Sequence, residues 1–103
     1  MTNPKLWKTW KVSEILLRRA RSALPEPPAL EKDNFKQFDE SFEEYLDHNE
    51  HEMALDMLEE MGGLCETRGG YWRDLERTAM NMGLDDRIAH FRSEFNKALD
   101  RSL

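Results

Sequence analysis

Two histidines and two glutamates near the middle of the chain carry side chains that bind metal ions. His48 and His51 are three residues apart, and Glu44 and Glu52 lie within four residues of them. Zinc takes imidazole nitrogens and carboxylate oxygens as ligands. The spacing matches no known catalytic signature, however, and the two histidines straddle a predicted break between helices. We therefore predict no metal and no cofactor.

Adjacent carboxylates occur at Glu43-Glu44 and again at Glu59-Glu60. General acid–base catalysis needs two groups that converge on one substrate, with an apolar pocket that adjusts the pKa of one of them. Neighbouring residues on a helix diverge by about 100°, so neither pair can converge on one atom. These carboxylates indicate a charged surface rather than an acid–base site.

The lone cysteine and the paired glycines also lack the context that chemistry would require. Cys65 has Arg68 nearby but no histidine placed to activate its thiol. Neither Gly62-Gly63 nor Gly69-Gly70 is followed by the Gly-Lys-Ser/Thr sequence of a phosphate-binding loop. We predict that the chain is not an enzyme.

The elements that position these residues follow from the spacing of apolar side chains. Between Phe35 and Met61 two apolar stripes at helical spacing predict a hairpin of two helices, one ending at Asp47 and one running from about Glu50. Asn49 and Glu52 match a capping box, which predicts a new helix there. The inward residues are Phe35, Phe38, Phe42, Tyr45 and Leu46, followed by Ala54, Leu55, Leu58 and Met61.

The outward face of this hairpin is strongly acidic. Residues 25–66 carry two basic and fourteen acidic side chains, whereas residues 1–24 carry six basic and one acidic. Such a surface repels nucleic acid and favours a basic protein partner, although a solvated face that only keeps the protein soluble is the alternative. The candidate contact residues are Asp39, Glu40, Glu43, Glu44, Asp47, Asp56, Glu59 and Glu60.

A basic amphipathic helix is predicted over residues 4–24, with Asn3 as its cap and Pro4 in its first turn. Its apolar side, Leu6, Trp10, Leu17, Ala20 and Leu24, is expected to pack on the acidic hairpin. Docking of this helix on nucleic acid or a membrane is the other interpretation. Residues 25–30 are rich in proline and form an extended connector.

The last part of the chain predicts two further helices. Gly62-Gly63 either ends the third helix or weakens it, and Arg68-Gly69-Gly70 is expected to be a loop. The fourth helix begins near Tyr71 and stops at Gly83, and Asp85 is expected to cap the fifth. Trp72 is expected to face the core and Tyr71 to point outward, as an exposed anchor for a partner.

Composition and length define the fold class. The 103 residues contain one Val and two Ile, which leaves a sheet without its usual residues. We predict one all-α domain, a compact bundle of about five helices with a central acidic helical hairpin. Its parts are the basic helix 1–24, the connector 25–30 and the helical core 31–103.

Nothing in the sequence indicates export or membrane insertion. Cys65 is the lone cysteine, so no internal disulfide can form. No signal peptide is recognisable, and no run approaches the roughly 20 apolar residues of a membrane span. The prediction is a cytoplasmic protein.

The stretch Phe42–Glu50, FEEYLDHNE, running into Ala54–Glu59, ALDMLE, resembles the small helical immunity proteins of bacterial polymorphic toxin and contact-dependent inhibition systems. The later Ala79–Asp85, AMNMGLD, is similar to their closing turn between helices. The resemblance covers roughly Phe35 to Phe91 and excludes the basic first helix.

The resemblance implies an antidote that binds one cognate toxin protein and blocks it. A nuclease toxin must be basic to hold phosphates, so the acidic face would serve as its contact surface, with Tyr71 as an anchor. The alternative is a helical adaptor or regulatory protein that docks through its basic first helix. The oligomeric state is left open.

Overall fold

The computed structural model describes the backbone of residues 4–102 and the side chains of residues 10–101. Within that range the chain forms helices and no strand, so the predicted all-α bundle of about five helices is confirmed. The five helices are α1 (Pro4–Ser22), α2 (Lys32–Asp47), α3 (His51–Leu64), α4 (Gly69–Met82) and α5 (Asp85–Ser102), with a 3-10 turn at Ala29–Glu31.

The bundle consists of two helical hairpins and one added helix. α2 packs against α3, α4 packs against α5, and α1 lies on α4 and α3. Buried apolar side chains from all five helices form one cluster, whose fully buried members include Leu17, Phe42, Leu58, Leu75 and Phe91. Their burial removes apolar surface from water and supplies the main force that holds the helices together.

The inward side of α1 is narrower than predicted. Leu17 and Ala20 are fully buried, but Trp10 is 48% exposed, so its predicted inward position is wrong. Ser13 is buried instead, and its hydroxyl oxygen accepts a hydrogen bond of 2.8 Å from the Asn81 side chain of α4. Ser13 is small and its hydroxyl has a hydrogen-bond partner, so α1 can pack closely on α4 at this position. Trp10 then lies at the edge of the interface between the two helices.

α1 ends before the prolines of the connector, as expected because proline cannot continue a helix. α1 ends at Ser22, two residues before the predicted end, and the chain from 25 to 30 has no buried residue. Leu30 is 96% exposed. The predicted cap at Asn3 and the inward position of Leu6 lie outside the described residues.

The turn between α2 and α3 is built differently from the predicted capping box. Asn49 has φ 57°, and its N–H donates to the Leu46 carbonyl while the Glu50 N–H donates to the Tyr45 carbonyl. This is the pattern that closes a preceding helix, in which Asn is one of the few residues that tolerates a left-handed conformation. The prediction of Asn49 as an N-cap is wrong, because Glu50 occupies that position.

The glycine pairs lie inside helices rather than between them. α3 continues through Gly62 and Gly63 to Leu64, and α4 already begins at Gly69, so the predicted loop at Gly69-Gly70 is wrong. A β-carbon at Gly69 would lie 3.2 Å from the Phe95 ring. Glycine there lets α5 approach the start of α4 closely.

Gly83 ends α4 as predicted, with φ 72°, and the Leu84 N–H donates to the Ala79 carbonyl. The Leu84 carbonyl in turn accepts the N–H groups of Arg87 and Ile88. Leu84 therefore caps α5, and Asp85, predicted as the cap, lies in the first turn. A carboxylate in that turn still interacts favourably with the helix dipole.

Candidate partner-binding surface

An exposed acidic stripe runs along α2. Glu40, Glu44 and Asp47 recur at spacings of four and three residues, which places them on one side of the helix. All three are exposed, and none forms an ion pair with a side chain of residues 10–101. We call these three residues the α2 stripe. Its charges span about 10 Å along the helix axis.

The neighbouring carboxylates of α2 are bound by α1. Arg21 donates to both oxygens of Asp39, with Nε 2.6 Å from Oδ1 and Nη2 3.0 Å from Oδ2. Arg18 Nη1 lies 3.5 Å from a Glu43 oxygen at a more exposed position. The hydrogen bonds that Arg21 donates to Asp39 raise the pKa of Arg21, so this arginine stays charged. Asp39 and Glu43 therefore hold α1 in place.

Two carboxylates of α3 are bound in the same way by α5. Arg87 donates to Asp56, and its second nitrogen lies 3.2 Å from Glu59. The Arg87 guanidinium also lies over the Phe91 ring, 5.1 Å from its centre, and His90 Nε2 is 3.3 Å from Glu59. A partner would have to displace Arg87 to use these two acids fully.

The predicted contact set thus separates into bound and exposed groups. Asp39 and Glu43 turn toward α1, whereas Asp56 and Glu59 turn toward α5, so the eight acids do not form one uniform face. The members that stay exposed without an ion pair to a described side chain are the α2 stripe and Glu60.

Tyr71 is not an exposed anchor. It is 5% exposed, and its hydroxyl donates to the Leu58 carbonyl of α3. Its ring meets Trp72 edge to face, with the ring centres 5.3 Å apart. Burial raises the pKa of the Tyr71 phenol well above its usual value. The predicted exposure is wrong, because both neighbouring aromatics of α4 pack inward, Tyr71 against α3 and Trp72 against Phe91.

The two central histidines occupy different environments. His48 is exposed, and its Nδ1 lies 2.8 Å from the Glu44 carbonyl oxygen, a contact that raises the pKa of His48. His51 is buried at the start of α3, and desolvation lowers its pKa. Among the residues that the structure describes, no three His, Cys, Asp or Glu side chains converge as metal ligands.

The Cys65 thiol lies 3.6 Å from the Pro25 carbonyl oxygen, to which it donates a weak hydrogen bond. Partial burial raises the pKa of Cys65, and the nearby Arg21 only partly offsets this effect. A raised pKa favours the unreactive thiol over the thiolate. Cys65 therefore links the end of α3 to the connector and is poorly suited to nucleophilic chemistry.

The outer side of α1 has a different character. Val12 and Ile15 are exposed on the side away from the buried residues, and Lys11, Arg18 and Arg19 lie around them. This surface combines positive charge with exposed apolar groups. It is the part of the molecule on which the alternative interpretation depends.

Arg21 and Arg87 are the structural residues that sequence reasoning missed. Their partners lie 18 and 31 residues away along the chain. The available signal was the excess of basic residues before and after the acidic segment, which indicates attraction between segments without naming the pairs.

Comparisons with known proteins place no relative beside this chain. No protein-family model matches it, and neither the curated proteins nor the solved structures gave a significant match. Across the described residues, no helix has both the length and the apolar character needed to cross a bilayer.

Proposed function

We propose that this protein is an immunity protein, which binds a cognate toxin domain of nuclease type and covers its basic substrate site. The observation that carries the proposal is the α2 stripe, three exposed carboxylates that form no ion pair with a described side chain. The two adjoining acids, Asp39 and Glu43, already have partners in α1.

A basic partner suits this stripe for physical reasons. A nuclease holds phosphates with a positive surface, and a row of carboxylates about 10 Å long can take the place of those phosphates. Charge complementarity also raises the association rate, which benefits an inhibitor that must act before damage is done. We expect the contact surface to be the α2 stripe together with Glu60, and not Tyr71.

The test compares two variants with the same net charge. Glu40→Lys/Glu44→Lys/Asp47→Lys reverses the α2 stripe, whereas Glu26→Lys/Asp86→Lys/Asp100→Lys reverses three other exposed acids. Each reversal changes the charge by two, so both variants go from −6 to zero. Circular dichroism would check that both keep their helix content.

The partner would be captured from the source bacterium with the tagged protein and identified by mass spectrometry, and its nuclease activity would then be titrated with each variant. We expect one basic protein at equal stoichiometry and about 100-fold weaker inhibition by the stripe variant. The control variant should inhibit nearly as well as the native protein. Equal inhibition by both variants, or a partner without nuclease activity, would contradict the proposal.

The alternative is an adaptor that docks through the outer side of α1. The exposed Val12 and Ile15 between basic residues favour it, since basic amphipathic helices bind anionic membranes or nucleic acid. Salt-sensitive binding of the full chain to anionic vesicles or DNA that Val12→Ser/Ile15→Ser abolishes would support this alternative. The α2 stripe variant should bind at least as well in that case.

A further inference from the structure

A surface groove has four arginines among its lining residues. It has a volume of about 530 Å³ and lies between the end of α1, the loop before α4 and the outer side of α4. Among the residues with described side chains, the charged ones that line it are Arg19, Glu66, Arg68, Arg73, Asp74 and Arg77. Four guanidinium groups against two carboxylates make this groove locally positive, although the whole chain has a net charge of −6.

These arginines differ from four other arginines of the fold. Arg18, Arg21, Arg87 and Arg92 each lie within 3.6 Å of a carboxylate oxygen of another residue. Those four arginines are therefore already paired with carboxylates of the same chain.

The groove arginines are scarcely neutralised. Arg19, Arg68 and Arg73 form no ion pair with any side chain in residues 10–101, and the Arg73 guanidinium lies over the Phe95 ring, 5.3 Å from its centre. Arg77 is 3.9 Å from Asp74, at the limit of an ion pair. The guanidinium groups therefore remain available to an external anion, and all four are exposed.

The start of α4 adds backbone donors to a site that the arginines already define. Arg68 is the N-cap, with no side-chain hydrogen bond to the helix, and the first turn contains no acidic residue. Gly70 also lines the groove, and its open side meets no other atom within 4 Å. An anion could approach the backbone N–H groups there without steric hindrance.

The ligand chemistry follows from these donors. A planar guanidinium group can donate two parallel hydrogen bonds to two oxygens of one phosphate group. The groove has the volume of a small-molecule site. Among the described residues, Tyr71 is the one aromatic side chain in its lining, and it is buried and offers no face for stacking a base. The overall negative charge also disfavours a long nucleic acid. We propose that this groove binds a small polyphosphate, either inorganic or the phosphate chain of a nucleotide.

Calorimetric titration of the full chain with sodium pyrophosphate at low ionic strength tests this proposal. We expect saturable one-to-one binding that weakens with added salt. Arg19→Gln/Arg68→Gln should lower the affinity about tenfold or more. The control Arg18→Gln/Lys97→Gln removes the same charge outside the groove and should change the affinity by about twofold or less.

Three further measurements distinguish the possible ligands: an NMR titration, displacement by adenosine triphosphate, and binding of an oligoribonucleotide. The amide NMR signals of Gly69 and Gly70 should move during the titration, and adenosine triphosphate should displace pyrophosphate if nucleotides share the site. Absence of saturable binding, equal loss in both variants, or tighter binding of an oligoribonucleotide that survives Arg19→Gln/Arg68→Gln would overturn the proposal. The α2 stripe variant should still bind pyrophosphate, so the groove and the proposed inhibitor function fail independently.

Discussion

The ring of Tyr71 occupies the space that a side chain at Gly62 would take, and its hydroxyl donates to the carbonyl oxygen of Leu58 one turn earlier in α3. A β-carbon at Gly62 would be 2.5 Å from Tyr71 Cε1 and 3.0 Å from Trp72 Cη2. Gly62 therefore provides the space into which the two aromatic residues of α4 pack. This contact fixes the approach of α4 to α3.

The two neighbouring glycines of α3 should respond to alanine in opposite ways. Gly62→Ala forces a methyl group against two buried rings, so we expect a net loss of about 1–2 kcal/mol in unfolding free energy, since overpacking outweighs the helix-propensity gain. Gly63 has no atom within 4 Å of an added β-carbon, so Gly63→Ala should gain about 0.5–1 kcal/mol. Urea unfolding followed by circular dichroism measures both. A Gly62→Ala variant as stable as Gly63→Ala would show that the rings move freely.

Tyr71→Phe should cost about 1 kcal/mol at neutral pH, because the hydrogen bond to the Leu58 carbonyl is lost. The Tyr71 pKa is raised by burial, so the folded protein retains the phenol proton above the unfolded pKa of about 10. The stability linked to this proton is complete below about pH 10 and falls as the pH rises, by up to about 1.4 kcal/mol per pH unit. Tyr71→Phe lacks this alkaline loss.

The comparison uses unfolding free energies at pH 8 and pH 11 for the native protein, Tyr71→Phe and the control Tyr45→Phe. The difference between the native protein and Tyr71→Phe should shrink or reverse at the higher pH. Parallel pH dependence in all three proteins would contradict the role assigned to burial of the phenol.

As the pH is lowered, His51 and His48 should change the unfolding free energy in opposite directions. Burial lowers the pKa of His51, so its contribution is present above the unfolded pKa of about 6.5 and is lost as the pH falls. The Glu44 carbonyl raises the pKa of His48, whose contribution is present below that pH and is lost as the pH rises. Between pH 7.5 and pH 5, the native protein should lose stability relative to His51→Gln and gain relative to His48→Gln. Unfolding in guanidinium chloride at the two pH values measures these differences in unfolding free energy. If both differences change in the same direction between the two pH values, the assignment is wrong.

Arg87 should stabilise the contact between α3 and α5 more than an exposed arginine does. Arg87→Ala removes its bonds to Asp56 and Glu59 and its packing on Phe91, and we expect a loss of about 1–2 kcal/mol. Arg18→Ala, at a more exposed ion pair, should change the unfolding free energy by about 0.5 kcal/mol or less. A double-mutant cycle with Asp56→Asn would measure the coupling energy between Arg87 and Asp56. A coupling energy near zero would show that this ion pair does not stabilise the fold.

Local spacing was sufficient to predict the helices and most of their buried residues. The stripes containing Phe42 and Leu58 repeat at the helical period, so their burial follows from the requirement to cover apolar surface. The exposure of the α2 stripe follows from the same pattern.

Features that depend on distant residues could not be predicted. Whether Tyr71 faces outward depends on where α4 begins and on the space above Gly62, and neither is encoded near Tyr71 itself. Likewise, the acids bound by Arg21 and Arg87 look identical in sequence to those that remain exposed. Asn is favoured both before the first turn of a helix and in the left-handed conformation after the last turn. In the structure Asn49 closes α2 and does not cap α3.

The connector from 25 to 30 keeps α1 attached to the rest of the bundle. None of its residues is buried, so it contributes to the position of α1 chiefly by keeping that helix near its docking surface. A short tether supplies an effective concentration in the millimolar range. Proteolytic cleavage there would convert the docking of α1 into a bimolecular equilibrium, and α1 would then dissociate on dilution while the four remaining helices lost the cover over α3 and α4.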